Sequence, residues 1–355
     1  MKIIPFFSLC CLLLLIGSCG GNSSSNSQRQ PTINGGAEQV LDLVTYRMLP
    51  AEREIIAAFE QQTGVQVNVI RKTSKQIIQE AQDNSLSGDL VMFPTLEDAV
   101  RLRNFDVLQP FFVDAFTDGS VDDRYLDNEG YYAGLTRWTM AAIYQPNTVA
   151  VDEVSSYINL AKMPERGIRL GLAHPDSSGL AGVISGLYRV VNPQGAQLWT
   201  QILLNGKTGP MAGNDADQLD RMLAGEIDVA LVNIGAALRW FLNGDPLHFE
   251  AAETWRIKYP ETQMDGVNFI NISGVAMLAN APHRNLAAAF INHLFQKENV
   301  ETLSNALFEY PNQAFAQPND YLLSVMEVPG RQVNVEQLEE YIPQAWAIIN
   351  NIAQQ

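Results

Sequence analysis

Beyond residue 19 the chain has no cysteine; its three thiols are Cys10, Cys11 and Cys19. Disulfides, thiolate-bound zinc and cysteine catalysis are thereby excluded from the folded part. Histidine is scarce as well: His174, His248, His283 and His293 stand at no metal-ligand spacing from a Glu or another His. His293 falls in an apolar helical stretch and reads as structural. His174 lies near Asp176 and Ser177, but neighbours in sequence seldom assemble a catalytic triad. Gly-x-Gly-x-x-Gly, Gly-x-x-x-x-Gly-Lys and Gly-x-Ser-x-Gly patterns are all missing, so the chain is not expected to be an enzyme, and no cofactor or bound metal is implied. Basic residues are the minority, 23 against 39 acidic, a net charge of −16. That sign argues against nucleic acid and against lying flat on an anionic membrane. Long hydrophobic runs are missing too. Phe6–Leu15 is shorter than the ~20 residues of a membrane span, and no candidate span follows residue 19, so the chain by itself moves nothing across a membrane.

What is present begins at the N-terminus. Lys2 gives a positive start, Phe6–Leu15 an apolar stretch, and Leu15-Ile16-Gly17-Ser18-Cys19 ends it. Small residues just before a cysteine suit a lipoprotein signal peptidase, so residues 1–18 read as a signal peptide and Cys19 as the diacylated first residue of the mature chain. Residues 19–37, with Gly20-Gly-Asn-Ser-Ser-Ser-Asn-Ser-Gln28, read as a flexible tether. The expected location is extracytoplasmic, held to a bacterial membrane through the lipid alone. Processing removes Lys2 as the one charged residue, leaving 22 basic and 39 acidic side chains, a net of −17. Residues 38–355 exceed the ~250–300 that one core usually serves, so two lobes are expected.

Strand and helix signals alternate along those residues. Val40–Tyr46 suits a buried strand, and Pro50–Thr63 a helix opened by proline and closed by Gly64. Val65–Ile70, Ser74–Asn84 and Asp89–Phe93 continue as strand, helix and strand. In the second half Ile168–Leu172 reads as a strand and Ser177-Ser178-Gly179 opens a helix to about Val191. Asn214-Asp215 caps a helix over Ala216–Ala224, with Gln218 completing a capping box to Asp215. Asp228–Asn233 and Asn271–Leu278 are buried strands, Leu286–Phe295 is a helix, and Val335–Ala353 is a helix interrupted near Pro343. Alternation of this kind implies an α/β fold with mainly parallel sheets flanked by helices.

Ligands in such folds sit beyond the carboxyl ends of strands. Arg47 follows the first strand, Arg137 lies in Gly134-Leu-Thr-Arg-Trp138, and Ser177-Ser178 and Asn214-Asp215 stand at helix starts whose N–H groups favour anions. Taken singly, Ser177 and Asp215 read as helix caps; their joint placement at strand-to-helix junctions in both halves favours a cleft.

Several segments together resemble the ferric-iron solute-binding proteins of bacterial ABC importers: Gly213–Asn233, Val267–Ala276, Phe308-Glu-Tyr-Pro311, Ala58–Val65 and Leu108-Gln-Pro110. The resemblance runs in register from about Leu41 to Pro311. It implies a two-lobed type II periplasmic-binding-protein fold with the ligand cleft at the hinge, the hinge strands crossing near Ala142–Tyr144 and Asn268–Val275. Residues 38–142 plus 270–300 would form lobe 1, and 143–269 plus 301–355 lobe 2. It also implies a monomer whose partners are ABC permease subunits.

The same resemblance marks a departure. A Tyr-Tyr pair normally follows the Val-Asn ending the strand after the Gly-Asn-Asp helix, whereas this chain continues Asn233-Ile234-Gly235-Ala236. An Arg-His-Tyr after the first strand is here Arg47-Met48-Leu49, and a lone tyrosine near the Ser-Ser helix start falls on about Ala181. Arginines expected before the hinge strand align with Trp138 and Met140. Phenolates are hard donors suited to Fe(III), and Gly, Ala, Met and Leu cannot replace them. The expectation is therefore a retained scaffold without direct ferric coordination, in a cleft formed by Arg47, Met48, Thr136, Arg137, Trp138, Ser177, Ser178, Ala181, Asn233, Gly235, Ala236 and Asn271. Small residues at 181, 235 and 236 are expected to enlarge that cleft, Trp138 to wall it, and Arg47, Arg137 and the Ser177-Ser178 helix start to hold a small anion or a chelated metal. A second reading is a binding-defective paralogue serving as an accessory lipoprotein. A third, an extracytoplasmic hydrolase, has no catalytic constellation behind it.

Overall fold

Pro50 opens the first helix, α1 (Pro50–Thr63), where its missing N–H is no loss, and Glu52 reaches back to the Leu49 N–H at 2.6 Å. Gly64 ends it in the left-handed conformation (φ 73°), its N–H bonding Glu60 O at 2.8 Å. The computed structural model describes residues 39–175, 179–190, 193–206, 211–262, 268–325 and 340–353. The signal segment 1–18, Cys19, the tether and the Ser177-Ser178 pair lie outside them.

Around α1 the expected alternation is present. Strand β1 (Val40–Thr45) precedes it, and β2 (Gln66–Arg71), α2 (Ser74–Gln82) and β3 (Leu90–Phe93) follow. Next come α3 (Leu96–Asn104), for which the sequence analysis has no counterpart, β4 (Leu108–Gln109) and the long β5 (Tyr132–Tyr144). The second half runs α4 (Tyr157–Ala161), β6 (Leu170–Leu172), α5 (Leu180–Val190), α6 (Pro193–Asn205), α7 (Asp215–Leu223), β7 (Val229–Asn233), α8 (Ile234–Phe241), α9 (Pro246–Thr254) and β8 (Arg256–Lys258). It closes with β9 (Ile270–Leu278), α10 (Arg284–Leu294), α11 (Lys297–Leu307), β10 (Tyr310–Pro311), α12 (Asp320–Val325) and α13 (Ile342–Ala353). Pro343 stands in the first turn of α13, where proline is tolerated, so it starts this helix instead of interrupting it. Among the described residues no helix is long and apolar enough to cross a membrane.

The strand order is β2-β1-β3-β9-β5-β7-β6, with β8 and β10 also on β5 and β4 on β9. Parallel pairing holds at the two outer ends, β2-β1-β3 and β7-β6. The centre is antiparallel, because β5 and β9 run in opposite directions between those ends. β5 changes partner within one peptide: Thr139 pairs with Ile270 of β9, and Met140 pairs with Asn233 of β7. The crossing thus falls three residues before the expected Ala142–Tyr144.

The second half of β5 separates two cores by the strand's period of two. Ala141 and Ile143, with Ala230 and Val232 of β7, pack under Leu219, Leu238, Trp240 and Phe241 from α7 and α8. Ala142 and Tyr144, with Val229 and Leu231, belong to the larger cluster that includes Ile184 and Leu187 of α5, Leu203 of α6 and Trp346 of α13. Two layers of helices on a shared sheet are what each half-buried face requires.

Candidate functional site

The expected site residues that the structure describes fall in two groups near the β5 crossing. The first lies under α5. Trp138 is 3% exposed, and its indole N–H donates to Pro94 O and Ser273 Oγ, both at 3.2 Å. Asn271, on β9, accepts the Leu96 and Ile272 N–H groups at 2.8 Å each. Helix α5 approaches both residues through glycine. A Cβ at Gly179 would stand 2.4 Å from the Trp138 ring, one at Gly182 2.7 Å from Glu97 Oε1, and one at Gly186 2.2 Å from Phe269. Positions 179, 182 and 186 share one helical face, so the bare backbone of that face lies against the crossing. Ala181 is buried in the same cluster. Trp138, Met140, Gly179, Gly182, Val183, Phe269, Ile270 and Asn271 leave a cavity of about 10 Å³, barely the space of one water molecule.

The second group lies at the start of α8. Asn233 caps that helix, its Oδ1 accepting the Gly235 and Ala236 N–H groups at 2.7 and 3.2 Å. A Cβ on Gly235 would stand 2.4 Å from Leu307 O and 2.9 Å from Phe308 O. Arg239, one turn further on, donates to Leu307 O. Thr136 donates to Glu309 Oε2 at 2.5 Å, and Arg47 pairs with Glu52 at 2.7 Å while lying over the Tyr46 ring. Met48 follows, half-buried. Desolvation lowers the pKa of Arg239, opposed first by Glu309; Arg47 adds to the lowering, and Asp215 and Glu52 oppose it. These five charges form one partly buried cluster. Burial pushes Asp215 up to about 7, against a hydrogen bond from the Asn233 backbone and the pull of Arg239. Its Oδ1 has no hydrogen-bond partner among the described residues.

Three expectations change. Small residues at 181 and 235 do not enlarge a cleft: Ala181 is packed, and Gly235 accommodates the carbonyls that end α11. Arg47 and Arg137 are not held ready for an anion. Arg47 is paired, and Arg137 donates to Pro311 O and Asn312 Oδ1 with its guanidinium 5.3 and 5.4 Å from the Tyr125 and Tyr310 ring centres. The cap of α7 is Asn214, which accepts from Ala216 and Asp217 at 2.8 and 3.1 Å while Asp217 accepts the Asn214 N–H at 2.7 Å. Asp215 is therefore the first helical residue and turns inward. Trp138 lines the small cavity under α5. Glu97, Arg239 and Glu309 have no counterpart among the expected residues. A lone arginine in the apolar run Ile234–Phe241 is the one signal that could have found Arg239.

The chain is 22% identical over 317 residues to the Iron uptake protein A1 of Synechocystis sp., covering 89% of this chain and 87% of that protein. It is 23% identical to the Fe(3+)-binding periplasmic protein of Serratia marcescens, covering 80% and 82%. The ferric binding protein from Campylobacter jejuni superposes with a TM-score of 0.80 at 20% identity, over 88% of this chain and 99% of that one. The two lobes that β5 and β9 join thus have the periplasmic-binding-protein architecture. A family of solute-binding proteins, and not of enzymes, matches residues 54–321. By that match the chain belongs to the bacterial extracellular solute-binding proteins.

Proposed function

We propose that this chain is the lipid-anchored solute-binding subunit of an ABC importer of the ferric-iron type, and that its cleft does not coordinate Fe(III) directly. The import role is carried over from relatives named for iron uptake and Fe(3+) binding. The anchor rests on the Leu15–Cys19 sequence, and permease subunits are the partners of a monomer. Lobe 1 would comprise 38–142 plus 270–300 and lobe 2 143–269 plus 301–355.

One observation carries the second clause. The positions where the family pattern has a tyrosine pair are Gly235 and Ala236, and the first of these stands against two backbone carbonyls. Met48, Leu49 and Ala181 add no phenol or imidazole. Among the described residues no group of three or more His, Cys, Asp or Glu is arranged to hold a metal ion. The cargo is then a small anion or a chelated metal, admitted when the lobes part around β5 and β9.

A thermal-shift titration of residues 38–355 with ferric citrate and small anions tests this. A micromolar ligand at millimolar concentration adds about 4 kcal/mol of stability. A colourless shift with an anion or with ferric citrate supports the reading. A shift with Fe(III) that develops a phenolate charge-transfer band overturns it.

A second reading, a binding-defective accessory lipoprotein, is favoured by the contacts that span the cleft. Glu97 of α3 accepts the Gly182 N–H of α5, so protein groups close what a solute would otherwise close. No shift with any ligand would favour that reading.

A further inference from the structure

Helix α13 connects helices from both halves of the chain. It adds no strand to the sheet and lies beyond the residues 54–321 that match the solute-binding family. Ile342, Ala345, Trp346 and Ile349 fall at i, i+3, i+4 and i+7, one stripe of a helix, and all four are buried. Pro343, Gln344, Ala347 and Asn350, on the other side, are exposed. The buried stripe belongs to one cluster with Ile184, Leu187 and Tyr188 of α5 and Ala196 and Leu203 of α6. Tyr341, just before the helix, stacks on Tyr188 with ring centres 6.0 Å apart and planes 14° from parallel.

The same helix touches α3. The Arg101 guanidinium carbon lies 4.3 Å from the centre of the Trp346 ring, well inside the range of a cation–π contact. Asp98, one turn earlier on α3, stands 4.0 Å from Arg101 Nη1 and helps to hold that side chain over the ring. Trp346 is 9% exposed, yet its indole N–H has no hydrogen-bond partner among the described residues. A buried indole usually finds one. The N–H regains water when the ring lifts away, so the contact is costly to keep and easy to reverse. By the lobe division proposed above, α3 is in lobe 1, and α5 and α6 are in lobe 2. A helix seated on one lobe thus grips the other through an aromatic face.

We propose that α13 is a strap across the cleft: seated on α5 and α6, it holds α3 through Trp346 and Arg101, and this contact parts when the lobes open. The proposal rests on the lobe division given above. The strength of the strap sets the fraction of molecules whose lobes stand open to a solute. Apparent affinity falls with that fraction, so the strap tunes binding without touching the cargo.

Residues 38–355 form one compact unit, and the test uses them. The Gly182 N–H of α5 is accepted by Glu97 of α3, so its hydrogen exchange reads the parting of the two helices. Arg101→Gln removes the cation and leaves the apolar seat of α13 intact. It should speed that exchange about fivefold, while the Ala216 and Asp217 N–H groups, bonded to Asn214 at the start of α7, keep their rates. Trp346→Ala should speed it at least as much, and Trp346→Phe less. Adding Arg101→Gln to Trp346→Ala should change nothing further, because the cation has already lost its ring. An unchanged Gly182 rate in Arg101→Gln, or additive effects in the double variant, overturns the strap. So does a rise shared equally by α7, which would mark general destabilisation. Removing residues 340–355 should widen the radius of gyration in solution scattering above that of the intact unit, about 20 Å for a compact chain this long. A folded truncation that does not widen overturns the proposal; if the truncation fails to fold, the exchange cycle decides. No cargo enters either measurement, so a failed ligand panel and a failed strap are separate results.

Discussion

A Cβ added to Gly235 meets the carbonyl oxygen of Leu307 at 2.4 Å, closer than packed atoms come. The start of α8 and the end of α11 therefore touch through bare backbone. Gly235→Ala is expected to cost about 1–3 kcal/mol through forced displacement of one helix, read as a lower urea midpoint with unchanged slope. Gly235→Tyr should cost more than Ala236→Tyr, because Ala236 is half-buried and meets no such wall. Equal midpoints for the two tyrosine variants would show that this contact is not maintained in solution.

Asp215 makes stability depend on pH. Its folded pKa is raised from a usual 3.8 to about 7 by burial, so the folded state holds the proton more tightly than the unfolded chain. The stability this contributes is present below pH 3.8 and is lost as pH rises through about 7. Asp215→Asn, which cannot ionise, should gain on wild type as pH rises from 4 to 8, by as much as about 4 kcal/mol. Unfolding midpoints of both proteins at pH 4, 6 and 8 measure the difference; a constant gap would exclude this carboxyl as the cause. Glu97, also raised by burial, acts in the same direction from its usual 4.5 upward.

Tyr157 and Asn268 fasten the strand crossing. The phenol donates to Asn268 Oδ1 at 2.8 Å, and Asn268 Nδ2 donates to Met140 O at 3.1 Å, next to the peptide where β5 changes partner. Tyr157→Phe removes one donor and should cost about 1 kcal/mol; Asn268→Ala strands the phenol and the carbonyl together and should cost about 2–4 kcal/mol. The ranking is checked by chemical denaturation and fails if the tyrosine variant is the weaker of the two.

Arg137 is engaged by the fold. Its guanidinium lies between Tyr125 and Tyr310 and donates to the segment at Pro311 and Asn312. Arg137→Lys keeps the charge but loses the planar fork, so a stability lowered by about 1–2 kcal/mol, read as a lower melting temperature, is expected. Any thermal shift with small anions should persist in this variant. Its disappearance would return Arg137 to the binding site.

Elements announced by local chemistry were legible, and those set by distant partners were not. Pro50 and Gly64 bracket α1 in the sequence as in the structure. Helix α3 carries equally local signs, with Thr95 before Glu97-Asp98 and Arg101 and Arg103 near its end. Its short span of alternating charge and Leu or Val leaves them easy to pass over. The contacts of several expected cleft residues were not legible. Arg47 and Arg137 look available in a sequence because Glu52, Tyr125, Tyr310 and Asn312 reach them only through the fold. Glu97 depends on a glycine 85 positions away, and no short-range pattern reports such a contact.

β5 gives its first half to one sheet and its second half to the other, with no loop between. Neither lobe then owns a complete set of strands. Melting either one strips a central strand from its neighbour, so thermal denaturation should follow a single calorimetric transition despite the size of the chain. Circular permutation or truncation at this boundary would yield no autonomous fragment. Any parting of the lobes must twist a continuous ribbon of backbone, which acts as a torsion spring and not as a free joint.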